Sequence, residues 1–185
     1  MRYFRMFPRR RTRGGGEVGT PVDVSGNVVW EGMPFQCAGE LVAEVVYDKG
    51  RTQAVDLVPC MTDELILSPA AAAVVRKCRL PDAVAFVPLR IVTRAGADVR
   101  RCVCVHFPEK VSLLNMDRSE FEYGWTEATK HIPFALVRGV LRTNLLRAVD
   151  LEYTEYARYV CSDTLRIAVQ AANLKNFAFE ELQCD

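Results

Sequence analysis

At 185 residues, the chain is close to the ~150-residue scale of one domain, and half of its residues are hydrophobic against a quarter charged, so one core can form without metal or disulfide staples. Its 24 Lys and Arg balance 23 Asp and Glu to a net charge of +1, which excludes a global field steering it to nucleic acid or a membrane surface. The signs are uneven locally: Arg2, Arg5, Arg9, Arg10, Arg11 and Arg13 crowd the start, and Glu180, Glu181 and Asp185 lie at the close.

The alternating Arg2-Tyr3-Phe4-Arg5-Met6-Phe7 reads as a strand. Residues 8–16 (PRRRTRGGG) follow as a mobile Arg/Gly loop, because such sequence cannot bury apolar surface. Turns are expected around Pro21 and around Ser25-Gly26-Asn27. Residues 41–47 (LVAEVVY) form the next strand, closed by Asp48-Lys49-Gly50, and residues 55–58 give a short one ending at Pro59. Glu64-Leu65-Ile66-Leu67 is a strand. Ser68 stands where a helix cap belongs, and Pro69 takes the first helical position, where its missing N–H costs nothing. The helix over 70–78 stops at Leu80-Pro81-Asp82.

Residues 84–92 return as a strand in which Pro88 points to an edge or a bulge. A turn at Ala95-Gly96-Ala97-Asp98 leads into a strand over 99–107, making a hairpin. Residues 108–114 continue extended, 115–130 read as a loop with a short strand at 120–125, and 134–146 fits either helix or strand. A strand over 157–161, a Ser162-capped helix over 163–173 and a strand over 177–183 close the order. The fold class is α+β, a mostly antiparallel sheet covered by two or three short helices, in a single domain over 1–185.

Two stretches echo each other. Leu65-Ile66-Leu67-Ser68, a helix, Leu80 and Phe86-Val87-Pro88-Leu89 parallel Tyr159-Val160-Cys161-Ser162, a helix, Leu174 and Phe179-Glu180-Glu181-Leu182. Cap and leucine are twelve residues apart in both. The reading is one strand–helix–strand unit used twice, with the leucine plugging the helix end. In the second helix Leu165, Ala168, Val169 and Ala172 share one face.

The seven cysteines are odd in number and sit mostly in apolar runs, as small hydrophobes rather than a secreted disulfide set. No signal-peptide h-region follows Met1, and no apolar run approaches the ~20 residues that span a bilayer. A cytoplasmic location without cofactors is expected. Cys102, Cys104 and His106 would project on one strand face, but tetrahedral zinc needs a second Cys/His pair that the sequence does not offer, so they read as a buried strand face. Cys161 precedes a helix start that can lower a thiol pKa, yet its flanks read as core. Gly14-Gly15-Gly16 lacks the Lys-Ser/Thr of a phosphate loop, and the carboxylates Glu120, Glu122, Glu180 and Glu181 lie on surface-like stretches. No catalytic constellation emerges, and the chain is not expected to be an enzyme. Phe121-Glu122-Tyr123-Gly124-Trp125-Thr126-Glu127 instead sets aromatics among acids, a composition that protein interfaces favour.

With these residues in view, the chain resembles a family of immunity proteins from bacterial polymorphic-toxin systems, numerous in myxobacteria. The resemblance rests on Met1-Arg2-Tyr3-Phe4-Arg5, on Gly19-Thr20-Pro21-Val22-Asp23, and on the strand–Ser–helix of 65–80 with Phe86-Val87-Pro88-Leu89-Arg90-Ile91. It continues in residues 111–121 (VSLLNMDRSEF) and in Val160-Cys161-Ser162 through Phe179. The 8–16 insert and Asn115 to Asp117 depart from the family pattern. The resemblance implies binding and neutralising a cognate toxin protein through protein–protein contact, with no shared catalytic residues to carry over. The expected anchors are Glu122, Tyr123, Trp125 and Glu127, with Arg9, Arg10 and Arg11 as a second patch. The competing reading is a nucleic-acid or regulatory binding module using the Arg-rich arm, whose binding would fall steeply with salt. A third is an enzyme built on Cys102, Cys104 and His106.

Overall fold

Elements form where apolar alternation runs unbroken and end where Pro, Gly or a capping Ser interrupts it. The computed structural model describes residues 2–9, 17–23, 25–28, 39–47, 55–62, 64–81, 84–107, 145–147 and 159–182. In chain order these hold β1 (Tyr3–Pro8), β2 (Glu17–Val18), β3 (Leu41–Tyr47), β4 (Leu57–Val58), β5 (Leu65–Leu67), α1 (Pro69–Arg76), β6 (Ala85–Val92), β7 (Asp98–His106), β8 (Leu145–Arg147), β9 (Tyr159–Ser162), α2 (Asp163–Ala171) and β10 (Phe177–Leu182). The α+β class holds. Two sheets form, ordered β10-β1-β9-β8 and β2-β3-β6-β7-β5-β4, and only β3 with β6 runs parallel among the named strand pairs.

The echo in sequence is an echo in topology. β5 and β6 both run antiparallel to β7, which lies between them, so α1 joins two parallel strands separated by one antiparallel neighbour. β9 and β10 stand in the same relation to β1, with α2 as the connection. The register matches residue for residue. Leu65 and Phe86 both face Val105 across their ladders, and Tyr159 and Phe179 both face Met6. The second unit differs in where its middle strand comes from: β7 follows β6 through a tight hairpin, whereas β1 comes from far earlier in the chain.

Both serines cap as their type and place demand. Ser68 and Ser162 are extended, and their Oγ atoms accept from the backbone N–H groups of Ala71 and Leu165. The helix ends differ. After α2, Asn173 takes φ +50°, the Leu174 N–H bonds Val169 O, and the Asn173 N–H bonds Gln170 O. This double closure seats Leu174 on the core. After α1 the chain tightens through Lys77 and Cys78 N–H bonds to Val74 and Val75 O, and Leu80 packs in the same place. Of the expected α2 face, Leu165 and Val169 are buried, while Ala172 at the C-cap is exposed.

The two units share one core. Phe4, Met6, Tyr159, Cys161 and Phe177 from the smaller sheet meet Leu65, Leu67, Val105 and Phe107 from the larger, with Ala71, Val75, Leu165 and Val169 from the helices between them. The opposite face of the larger sheet makes a second core from Leu41, Ala43, Ile66, Val87, Leu89, Ile91, Cys102 and Cys104. Pro88 pairs with Val103 of β7 on one side, and on the other β6 is locally an edge there, because β3 begins pairing only at Leu89. The β6–β7 irregularity falls instead at Ile91/Val92.

Asp56 ties the units together. It accepts the Ser68 hydroxyl at 2.6 Å and the Lys175 N–H at 2.8 Å, while its own N–H and that of Leu57 reach Lys175 O. The Asn176 side chain completes the link by donating to Leu57 O. Asp56→Ala should therefore cost about 2 kcal/mol in urea unfolding, and Ser68→Ala a similar amount, each leaving partners unsatisfied. The double variant should cost less than their sum by about 1 kcal/mol, and strict additivity would show that the pair is not coupled.

Candidate functional site

Arg9 lies at the exposed end of β1, anchored through its backbone N–H to Asn176 O at 3.0 Å. Arg10 and Arg11 lie outside the described residues, as do Glu122, Tyr123, Trp125 and Glu127. The loop over 8–16 is likewise outside them beyond Arg9. Neither expected patch is therefore placed.

Cys102, Cys104 and His106 do share one face of β7, as strand alternation requires, and all three are buried. Cys102 faces Leu89, and Cys104 lies between Val87 and Ile66. Continuing the β5–β7 register by one residue sets buried Glu64 opposite His106. Among the described residues no group of three His, Cys, Asp or Glu side chains is placed to hold a metal ion. Burial pushes the Cys102 thiol up to about 11 against a pull from Arg100. Cys161 goes up to about 12, since its burial outweighs the nearby Arg166. Burial raises Cys60 as well, and its Sγ donates to Gly19 O. These thiols are positioned as packing groups.

The charges that sequence reading left unassigned are organised around the capped ends of the two units. In the second unit, the Arg166 Nε and Nη2 both donate to Asp163 Oδ1, at 2.8 and 2.6 Å, and its guanidinium lies 4.8 Å from the centre of the Phe4 ring. The Arg166 hydrogen bond holds the Asp163 carboxyl below its ordinary value. Arg2 reaches Asp163 at 3.4 Å and Glu181 at 3.8 Å. On the other face of β1, Arg5 is buried and donates to Glu180 at 2.6 Å. Arg5 stands opposite Glu180 once β1 and β10 pair, and nothing local in the sequence announces that pairing.

In the first unit, the matching stretch of sheet is open. Arg90 and Arg101 face each other directly across β6 and β7. Arg90 is bridged to Asp98 at 3.2 Å and Glu40 at 3.5 Å; Arg101 is exposed, with no ion-pair partner among the described residues.

The raised thiols predict an alkaline limit. A thiol is neutral when protonated, and both Cys102 and Cys161 lie above the ordinary 9.0 in the folded chain, so their contribution is intact below about pH 9. It should be lost progressively as pH rises from about 9 towards the folded values near 11 and 12, and level off above them. Denaturant midpoints measured from pH 7 to 11 check this, and Cys102→Ala/Cys161→Ala should flatten the decline. Native Cys161 should also resist a thiol reagent until the chain unfolds.

The chain matches no protein-family model and no curated protein.

Proposed function

We propose that the chain is an immunity protein that binds and neutralises a cognate toxin by protein–protein contact in the cytoplasm. The observation supporting this reading is where the described family-like segments lie. β1, the β5–α1–β6 stretch and the β9–α2–β10 stretch are the two in-register units around one core. The Gly19-to-Asp23 segment is fixed as well: Gly19 N–H bonds Glu44 O, and Val22 bridges both Val28 and Val42. On this reading the two units are a scaffold whose job is to present a preformed surface. A preformed surface suits tight inhibition, because little ordering entropy opposes binding. Among the described residues no helix is long and apolar enough to cross a membrane.

Neutralisation on this reading is steric. The chain occludes the toxin's active site or blocks its activation, using a few aromatic or Arg anchors and complementary charge. Trp125, Tyr123, Glu122 and Glu127 are the proposed aromatic–acidic anchors, and Arg9, Arg10 and Arg11 a second patch.

Co-expression with the candidate toxins encoded beside its gene should restore growth of a sensitive host. Failure against every adjacent candidate would overturn the reading. Trp125→Ala with Glu127→Lys should weaken binding of the rescued toxin at least 30-fold while the unfolding midpoint is unchanged; equal affinity removes those anchors from the interface.

A further inference from the structure

The two units differ in how one corresponding arginine is held. The β5–β7 and β9–β1 ladders superpose Leu67 on Cys161, Val103 on Phe4 and Ser68 on Ser162. The β6–β7 and β10–β1 ladders superpose Pro88 on Glu181 through the same middle strands. Arg101 then corresponds to Arg2, each two residues before the strand position that lies opposite the end of the capped strand. Pro69 corresponds to Asp163, each directly after its cap.

Arg2 is held by two carboxylates of its own chain, Asp163 and Glu181. At both matching positions the first unit has proline, and neither Pro69 nor Pro88 can offer a carboxylate. Arg101 is left exposed beside Arg90, a like-charge pair directly across two strands, an arrangement that destabilises a sheet. Arg90 is offset by Glu40 and Asp98; Arg101 is not. Around it Pro69, Ala70 and Pro88 are exposed and uncharged, so the surface beside Arg101 carries no competing acid from α1 or β6.

We propose that Arg101 is a docking point for an acidic segment of a partner protein, whose carboxylate takes the place that Asp163 and Glu181 take against Arg2. The inference rests on the immunity reading for the partner's identity, which would be the toxin, and names the chemistry of its contact. Charge complementarity selects the occupant. An exposed arginine beside a second arginine, with Pro69, Ala70 and Pro88 around it and the nearby Asp98 and Glu40 bridged to Arg90 rather than to it, fits an Asp- or Glu-bearing strand or loop and rejects a basic one.

The test fills the site from within. Pro69→Asp/Pro88→Glu restores the two acids of the second unit, and Arg101→Ala removes the cation. Hexaglutamate is the probe, titrated at low salt into the full-length protein and followed by amide chemical shifts, with hexalysine and a single-stranded oligonucleotide as controls. Wild type should show saturable shifts at Arg101 and its strand neighbours with hexaglutamate. Both variants should bind it at least 5-fold more weakly, with unfolding midpoints showing that each is folded, and Arg2→Ala should not weaken those shifts. Equal binding by wild type and either folded variant overturns the proposal, and so does a preference of the same residues for the oligonucleotide. Should either variant not fold, Arg101→Gln supplies the comparison. Toxin rescue is scored separately: loss of rescue with hexaglutamate binding intact would overturn the immunity reading and leave the docking point standing.

Discussion

Asp56 holds the molecule's two halves in one geometry. A single carboxylate accepts the hydroxyl of the residue that caps α1 and the backbone N–H of the turn that precedes β10. Ser68 is thereby used twice, accepting from Ala71 to start its helix and donating to Asp56 to position it. The helix start of one unit and the helix exit of the other are fixed within one hydrogen-bonded patch. The facing of α1 and α2, and so the shape of the shared core, follows from that fixing. Dispersion and area burial supply most of the stabilisation, but they are indifferent to small rotations of one unit against the other. Directional bonds at Asp56 are not.

The local parts of this arrangement were legible. Ser68-Pro69 and Ser162-Asp163 carry their cap chemistry in the residues themselves, and Leu41–Tyr47 shows its strand by β-branched composition. The matched twelve-residue spacing of cap and leucine showed the repeated strand–helix–strand unit, while the shared strand register emerges only from the pairing of each unit with its own middle strand. Long-range features were not legible. Asp56 reads as an ordinary acid of the short strand expected over 55–58, since its partners are Ser68 and the distant Lys175. Pro88 reads as an edge or a bulge because a proline lacks a donor; it lies in the first half of β6, before Leu89, where the parallel neighbour β3 has not yet begun to pair. Sequence reading set the binding anchors in residues 9–11 and 122–127, of which Arg9 alone lies among the described residues. Arg101 is not legible in the sequence, because its environment depends on how the two units correspond in three dimensions.

The cysteine content has a packing explanation. Cys102 and Cys104 line the second core and Cys161 the first, each at a position opposite an aliphatic or aromatic neighbour on the paired strand. A thiol there is a small apolar filler, and burial that raises its pKa also keeps it from acting as a thiolate nucleophile at neutral pH.

The borrowed middle strand of the second unit has a consequence for how the chain assembles. β6 and β7 meet through a tight turn, so the first unit can form from contiguous sequence. β1 must wait for partners far along the chain; Arg5 and Glu180 are 175 residues apart. Closing that sheet brings the entropy of a very long loop forward, before its contacts repay it, and topologies of this kind fold on the slower end of the scale. During synthesis β1 emerges with Phe4 and Met6 uncovered, and the sheet they belong to cannot close until β9, α2 and β10 have been made. The alternation of Arg2 and Arg5 with these apolar residues keeps that waiting strand charged, which disfavours its pairing with other nascent chains.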